Sequence, residues 1–128
     1  MNKCVVCGKP GDTHHIIHKD EGGLEYPLNR IYLCAQHHRG MSGPHKDPDT
    51  DLKYKRALQN RLQNLFHEDF YRKEEIRKRA ELSNSLLRTL VKTLKRYKEG
   101  YRRIDIIDFL MSGHQLVEEE EDYYDPLV

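Results

Sequence analysis

The sequence predicts a small α+β protein in which a compact β-loop-β-helix unit precedes a helical extension and an acidic tail. Three observations support this fold class. Residues 1–50 place short runs of branched residues between paired cysteine and histidine residues, residues 51–111 carry apolar residues at helical spacing, and residues 112–128 contain a run of acids. A chain of 128 residues supports one small domain with an extension rather than two large cores.

Two pairs of soft metal ligands frame the first unit: Cys4 with Cys7, and Cys34 with His37. Two residues separate the members of each pair and 26 separate the pairs, as in closed tetrahedral zinc sites. A disulfide is disfavoured by the odd cysteine count, and buried free thiols are disfavoured by the paired spacing. We therefore expect a structural Zn²⁺. It would contribute on the order of 10 kcal/mol to folding a unit too small to fold on apolar burial alone.

The segment between the ligand pairs predicts a hairpin with a long loop. Residues 13–17 and 30–33 are short strand-like runs, and Gly22, Gly23 and Pro27 interrupt the chain between them. After the second strand, the stretch to about Met41 predicts a short helix, because glycine and proline follow in residues 40–44.

Four further residues are interleaved with the zinc ligands: His14, His15, Asn29 and His38. Asn29 follows His15 after thirteen intervening residues, and His38 follows Asn29 after eight more. In this order and spacing the chain resembles the HNH endonuclease family. The ending Gly43-Pro44-His45 is similar to that of the phage-borne HHH-type members.

The resemblance covers about residues 1–50. It implies a zinc-stapled ββα-metal, treble-clef-like module that hydrolyses or nicks DNA and leaves 5′-phosphate and 3′-hydroxyl ends. The family commonly reads N-L-x-x-L-C-x-x-C-H through this region, and His37 stands here in place of the last cysteine. Zinc tolerates this departure because imidazole is also one of its usual ligands.

Phosphodiester hydrolysis gives a chemical reason for these residue types. The reaction needs a nucleophile made from water, stabilisation of charge on the phosphate oxygens and help for the departing 3′ oxygen. His15 is the predicted general base, with Asn29 orienting it. His14 and His38 are predicted to hold a catalytic Mg²⁺, Mn²⁺, Ni²⁺, Co²⁺ or Zn²⁺. His45 is either a third ligand or a loop histidine. His18, just beyond the first strand, is either a solvent-facing loop histidine or a contact of the scissile region. His67 and His114 are expected to be ordinary surface or helix residues.

The net charge of +1 conceals a strong asymmetry along the chain. Residues 51–103 carry sixteen Lys/Arg against seven Asp/Glu, whereas residues 104–128 carry eight acids and no Lys/Arg. Apolar periodicity predicts one amphipathic helix ending near Phe66 or Phe70 and a second over about residues 72–97. Their basic faces are either solvated or follow nucleic-acid phosphates. The residues predicted to contact nucleic acid are Arg39, Lys53, Lys55 and Arg56.

The C-terminal part predicts a short helix or strand over residues 101–111 and a disordered acidic tail over residues 112–128. The tail serves solubility, covers the basic helices as a nucleic-acid mimic, or docks on a protein partner. An apolar stripe in residues 87–94 suggests a homodimer. The lack of a membrane-spanning segment or signal peptide, together with cysteines suited to zinc, predicts the reducing cytoplasm of a bacterial host cell.

The predicted activity is therefore that of a metal-dependent endonuclease acting on DNA, with RNA left open. Two other classes of function stay open: a catalytically inactive zinc module that binds nucleic acid, and an interaction or inhibitor protein that works through its acidic tail. Cleavage that depends on His15 separates the first class from the second. A protein partner that is lost on removal of the tail would indicate the third.

Overall fold

The N-terminal unit is a hairpin followed by a short helix, as the sequence predicts. A computed structural model describes residues 2–117. Strand β1 (Asp12–His15) pairs antiparallel with β2 (Arg30–Leu33), so that His14 lies opposite Ile31. Helix α1 (Ala35–Arg39) begins directly after Cys34 and ends two residues before the predicted Met41.

Helix α2 (Pro48–Leu65) confirms the first predicted amphipathic helix. Its start is encoded locally, since the Asp47 carboxylate accepts a hydrogen bond from the Asp49 N–H at 3.0 Å and proline occupies the first turn. Leu58 and Leu62 are fully buried on its inner face. The helix begins before residue 51, so the boundary predicted at residue 50 falls within its first turn.

The single helix predicted over residues 72–97 is wrong. The chain instead forms α3 (Lys73–Ala80) and α4 (Asn84–Thr93). Glu81 ends α3 in the left-handed conformation at φ 54°, and the Ser83 side chain accepts a hydrogen bond from the Leu86 N–H at 3.1 Å. An N-cap serine starts a new helix because its side chain satisfies an amide that the helix leaves free.

A second two-stranded sheet lies in the extension, which is therefore not wholly helical. Strand β3 (Phe70–Tyr71) pairs antiparallel with β4 (Tyr101–Arg102). Helix α5 (Arg103–Leu110) follows at once, so the region predicted as helix or strand contains both. Strands of two residues are too short for an alternating pattern to reveal them.

One apolar core joins the N-terminal unit to the extension. The Tyr26 hydroxyl donates to the Leu110 carbonyl, and the Ser112 hydroxyl donates to the Gly22 carbonyl at 2.8 Å. The Gln59 amide exchanges two hydrogen bonds with the main chain of Leu116, at 2.7 and 2.9 Å. Residues 112–116 are thus hydrogen bonded to the fold, contrary to the predicted disordered tail, whereas Val117 is 86% exposed. The acidic run from residue 118 lies outside the described residues.

The apolar stripe that suggested a homodimer is largely used within the chain. Leu90 is fully buried, and Leu86, Val91 and Leu94 pack against the core. The homodimer remains a prediction, and the apolar stripe no longer supports it. Across residues 2–117, no helix combines the length and apolar character needed to cross a membrane.

Candidate metal and catalytic sites

The four predicted zinc ligands lie together. Cys4 and Cys7 occupy the turn before β1, while Cys34 and His37 stand at the start of α1 and one turn into it. The Cys7 and Cys34 sulfurs are 3.7 Å apart, and the His37 Nδ1 lies 3.6 Å from Cys4 and 3.2 Å from Cys34. A zinc tetrahedron with bonds of about 2.1–2.3 Å has edges of about 3.4–3.8 Å. The arrangement is therefore compatible with one structural zinc ion.

The electrostatics of this cluster favour the thiolate that zinc binds. Burial raises the pKa of Cys4, but hydrogen bonds from the main chain of Cys34, Cys7 and Val6 outweigh it and lower the pKa to about 6. The Val6 N–H, for example, donates to the Cys4 sulfur at 3.4 Å. A lowered thiol pKa reduces the cost of deprotonation that accompanies metal binding.

A second cluster brings together three imidazoles, from β1, α1 and the loop after α1. The His38 Nε2 lies 3.2 Å from the His14 Nδ1 and 2.9 Å from the His45 Nε2. One imidazole nitrogen offers either one N–H or one lone pair, so it makes one well-aligned hydrogen bond and not two. Nitrogens bound to one ion at about 2.1 Å are about 3.0–3.4 Å apart. The three residues thus fit a shared cation.

The loop that carries His45 depends on a glycine. A Cβ atom at Gly43 would lie 2.5 Å from the His38 carbonyl oxygen and 2.8 Å from that of His37. Only glycine lets the main chain turn this closely over the end of α1. The close approach brings His45 back to His38, so the structure places His45 with the predicted ligands.

Burial favours the neutral form of the three rings, which is the protonation state that binds metals. Burial, together with the neighbouring imidazoles, lowers the pKa of His14 to about 3. Burial also lowers the pKa values of His38 and His45, and the nearby charge of Arg39 acts in the same direction on both. The His14 Nε2 is buried without a hydrogen-bond partner among residues 2–117. A buried nitrogen without a hydrogen-bond partner lowers the stability of the folded state by about 1–3 kcal/mol, unless a ligand or a water molecule binds to it.

His18 lies beside this cluster and not on a solvent-facing loop, which was one of its two predicted places. Its side chain is 18% exposed, and its Nε2 lies 2.8 Å from an Asp51 oxygen. The His18 ring stands 5.2 Å from the His14 ring and 5.1 Å from the His45 ring, centroid to centroid. His14, His18 and Asp51 form a second set of potential metal ligands. The carboxylate comes from the first turn of α2, so the helical extension completes the site.

His15 lies beside the imidazole cluster and has a carboxylate partner. Its Nε2 is 2.7 Å from Glu25 Oε1, and the His15 side chain is 15% exposed. Since a carboxylate only accepts, this contact selects the neutral tautomer with the proton on Nε2 and the lone pair on Nδ1. Burial raises the pKa of Glu25, but the charges and hydrogen bonds of His15 and Lys19 outweigh it and lower the pKa.

The sequence predicts that Asn29 orients His15, but the hydrogen bonds of the Asn29 side chain go to other residues. It is fully buried, and its side-chain oxygen accepts from the Ile17 N–H at 2.7 Å. Its NH₂ group donates to the carbonyl oxygens of Leu24 at 2.9 Å and Ile17 at 3.3 Å. Asn29 therefore fixes the loop that carries Glu25 and His18, and it acts on the site through the backbone.

A cleft of about 420 Å³ contains His15 and the imidazole cluster. Arg39 is exposed and lines this cleft, as its predicted role requires. Lys53 and Arg56 line a shallower surface of α2. Lys55 is wrongly predicted as a phosphate contact: it is 9% exposed, and its ammonium lies 2.7 Å from Glu21 and 2.8 Å from Asp51.

Glu25 and Asp51 were missed by sequence reasoning, and His18 was predicted only as one of two alternatives. His18 follows His14 by four residues, and this spacing was the only local signal for it. Glu25 and Asp51 lie next to the histidines only because of the tertiary fold, so no spacing in the sequence predicts these contacts. No protein-family model, curated protein or solved structure matches this chain.

Proposed function

We infer that the protein is a metal-dependent endonuclease that hydrolyses phosphodiester bonds in DNA. One observation carries the proposal: an imidazole paired with a carboxylate shares a cleft with three imidazoles whose nitrogens converge on one another. The first group suits proton transfer and the second suits a cation. Hydrolysis of a phosphodiester at neutral pH needs both kinds of group.

His15 is the proposed general base. With its Nε2 hydrogen bonded to Glu25, its Nδ1 is free to accept a proton from a water molecule in the cleft. The water oxygen then bonds to phosphorus, and the bond from phosphorus to the 3′ oxygen breaks. The departing 3′ oxygen takes a proton from solvent water, so the products are 5′-phosphate and 3′-hydroxyl ends. The Glu25 carboxylate would stabilise the imidazolium that forms on His15, as a carboxylate does in a catalytic triad.

His14, His38 and His45 are the proposed ligands of a catalytic divalent ion, and His14, His18 and Asp51 form an alternative ligand set that shares His14. A bound ion would polarise the phosphate and neutralise the charge that builds on its oxygens. Imidazole ligands favour Mn²⁺, Co²⁺, Ni²⁺ or Zn²⁺ by affinity, whereas cellular abundance favours Mg²⁺. The zinc proposed at Cys4 and its partners would be a separate ion with a purely structural role.

Arg39 is the proposed phosphate contact at the cleft. It is exposed beside the imidazole cluster, where a guanidinium can bind a phosphate through two hydrogen bonds. The positive balance of residues 51–103 favours a polyanionic substrate in general. DNA is the proposed substrate on this basis, and RNA is an alternative for the assay to resolve.

Incubation of purified full-length protein with supercoiled plasmid, in the presence of Mg²⁺, Mn²⁺, Co²⁺ or Ni²⁺, tests the proposal. Nicked or linear product is expected. His15→Ala should lower the rate by about 10²–10⁴-fold, the usual contribution of a general base. His67→Ala is the matched control, because that histidine is exposed and lies outside the cleft.

The two alternatives predict different results. A zinc module that only binds nucleic acid would retain DNA and release no product with any of these ions. Cleavage at the wild-type rate by His15→Ala would refute the assignment of the base. A protein partner that is lost on removal of residues 118–128, with no nuclease activity, would favour the interaction protein.

A further inference from the structure

Helices α3 and α4 form a two-helix unit that the imidazole cleft does not use. The helices contact one another, and residues 81–83 join them. Short helices joined by a turn of about three or four residues constitute the helix-turn-helix arrangement, in which the second helix enters the DNA major groove. Here the second helix is α4.

The turn between the two helices is fixed by three local features. Glu81 adopts the left-handed conformation at φ 54°, Leu82 is buried at 4% exposure, and Ser83 caps α4. Ile76 from α3 and Leu90 from α4 are fully buried. The two helices therefore have a defined relative position, which a groove-reading helix requires.

The outer face of α4 has the composition of a DNA-reading surface. Ser85, Arg88, Thr89 and Lys92 are exposed at helical spacing. Arginine and lysine pair with guanine, and hydroxyl side chains bond to several base edges in the major groove. Residues 82–98 contain five Lys/Arg and no Asp/Glu, so this surface attracts phosphate.

The segment after α4 supplies a second basic element beside the helix. Tyr97 and Gly100 form an isolated antiparallel bridge, which makes residues 97–100 a tight turn leading into β4. The Lys95 ammonium lies 4.7 Å from the centre of the Tyr97 ring and the Arg102 guanidinium 5.2 Å from it. A cavity of about 430 Å³ separates this turn from the start of α3. Its lining includes Arg72, Lys73, Arg96 and Lys98.

We propose that α4 inserts into the major groove of duplex DNA and selects a sequence through Ser85, Arg88, Thr89 and Lys92, while residues 95–98 contact the flanking phosphates. The proposal concerns binding and stands apart from the hydrolysis proposed above. It commits to duplex DNA rather than duplex RNA, because the major groove of A-form RNA is too narrow for side chains to read.

Selection from a pool of duplexes with a randomised central segment tests the inference. The probe is full-length His15→Ala protein with zinc bound, so that retention is measured without cleavage. A common sequence motif should be enriched. Arg88→Ala should weaken binding to the enriched duplex by about 5- to 150-fold, the discrimination of one bidentate base contact. Lys95→Ala should weaken binding to enriched and unrelated duplexes alike and lower the salt slope by about one.

Arg61→Ala is the matched control, since Arg61 is exposed on the different helix α2. Because Arg88 and Arg61 are both exposed, both variants should keep the wild-type unfolding midpoint. The absence of an enriched motif would overturn the inference, as would equal effects of Arg88→Ala and Arg61→Ala or equally tight binding of duplex RNA. A wild-type protein that binds the motif but never cuts would support this inference and reject the proposed hydrolysis.

Discussion

Asn29 offers a direct test of how the loop between β1 and β2 supports the site. Its amide makes three hydrogen bonds to main chain, two of them with Ile17, which is itself fully buried. Asn29→Ala removes all three hydrogen bonds at once. The Ile17 N–H and the Leu24 carbonyl, bonded at 2.7 and 2.9 Å, then lose their partners, while the contact at 3.3 Å is longer and weaker.

The magnitude follows from the cost of unpaired buried polar groups. Each such group costs about 1–3 kcal/mol, so the loss of two well-formed bonds should lower the free energy of unfolding by about 2–6 kcal/mol. Asn29→Asp keeps the acceptor for the Ile17 N–H but turns a carboxylate oxygen towards the carbonyl oxygens of Ile17 and Leu24. It should therefore recover little of the lost stability.

Urea unfolding with zinc in excess measures this loss, since the metal contributes to the folded state. Asn60→Ala, at an exposed position on α2, is the matched control and should change stability by no more than about 0.5 kcal/mol. A different result would refute the reasoning. If Asn29→Ala unfolded at the wild-type midpoint and yet failed to cleave, Asn29 would act on the reaction directly, as the sequence analysis predicted.

Three further substitutions test the remaining parts of the site. Cys34→Ser should lose one bound metal equivalent in native mass spectrometry and unfold the protein; an unchanged fold would show that zinc is dispensable. His45→Ala should retain the zinc but lower Mn²⁺ affinity by at least about 10-fold in calorimetry, because removing even the partner of a ligand costs about 10–100-fold. Glu25→Gln should reduce the cleavage rate by less than His15→Ala and leave metal content unchanged; wild-type kinetics would remove Glu25 from the mechanism.

The parts of the site that the sequence predicts are those encoded by short spacings. Cys4 and Cys7 lie in one turn, and Cys34 and His37 lie in one turn of helix, so local geometry brings each pair to the ion. Two-residue spacing therefore contains most of the information needed for zinc. The distances in the cluster confirm that the four residues can hold one metal.

Contacts between distant segments explain what sequence reasoning missed. Asp51 is 33 residues from His18 in the sequence, and Lys55 is 34 residues from Glu21. The packing of α2 nevertheless brings these four side chains into one network. A lysine on a basic face is by default solvated, and only the tertiary fold reveals Lys55 as a buried ion-pair partner. The site thus depends on the extension more than a division at residue 50 suggests.

Helix periodicity failed in residues 72–97 for a different physical reason. Apolar residues continue at helical spacing through the turn, at Ile76, Ala80, Leu87 and Leu90, so the pattern does not mark where α3 ends. The interruption is encoded in capping rather than in hydrophobicity: Ser83 accepts the Leu86 N–H, and Glu81 takes a positive φ. A serine followed by asparagine inside a predicted helix therefore indicated the break.

The shared core links the two proposed activities and yields a final prediction. The Tyr26 hydroxyl, at the end of the β1–β2 loop, donates to the Leu110 carbonyl of α5, and α5 follows directly on β4 beside α4. If α4 reads a sequence and the imidazole cleft cuts, this packing keeps their separation constant. Cleavage of duplexes carrying the enriched motif should then fall at one fixed offset from it, mapped on sequencing gels. Tyr26→Phe removes one of the hydrogen bonds between the two parts and should broaden the distribution of cut positions. Cuts scattered about the motif in the wild-type protein would contradict a rigid connection.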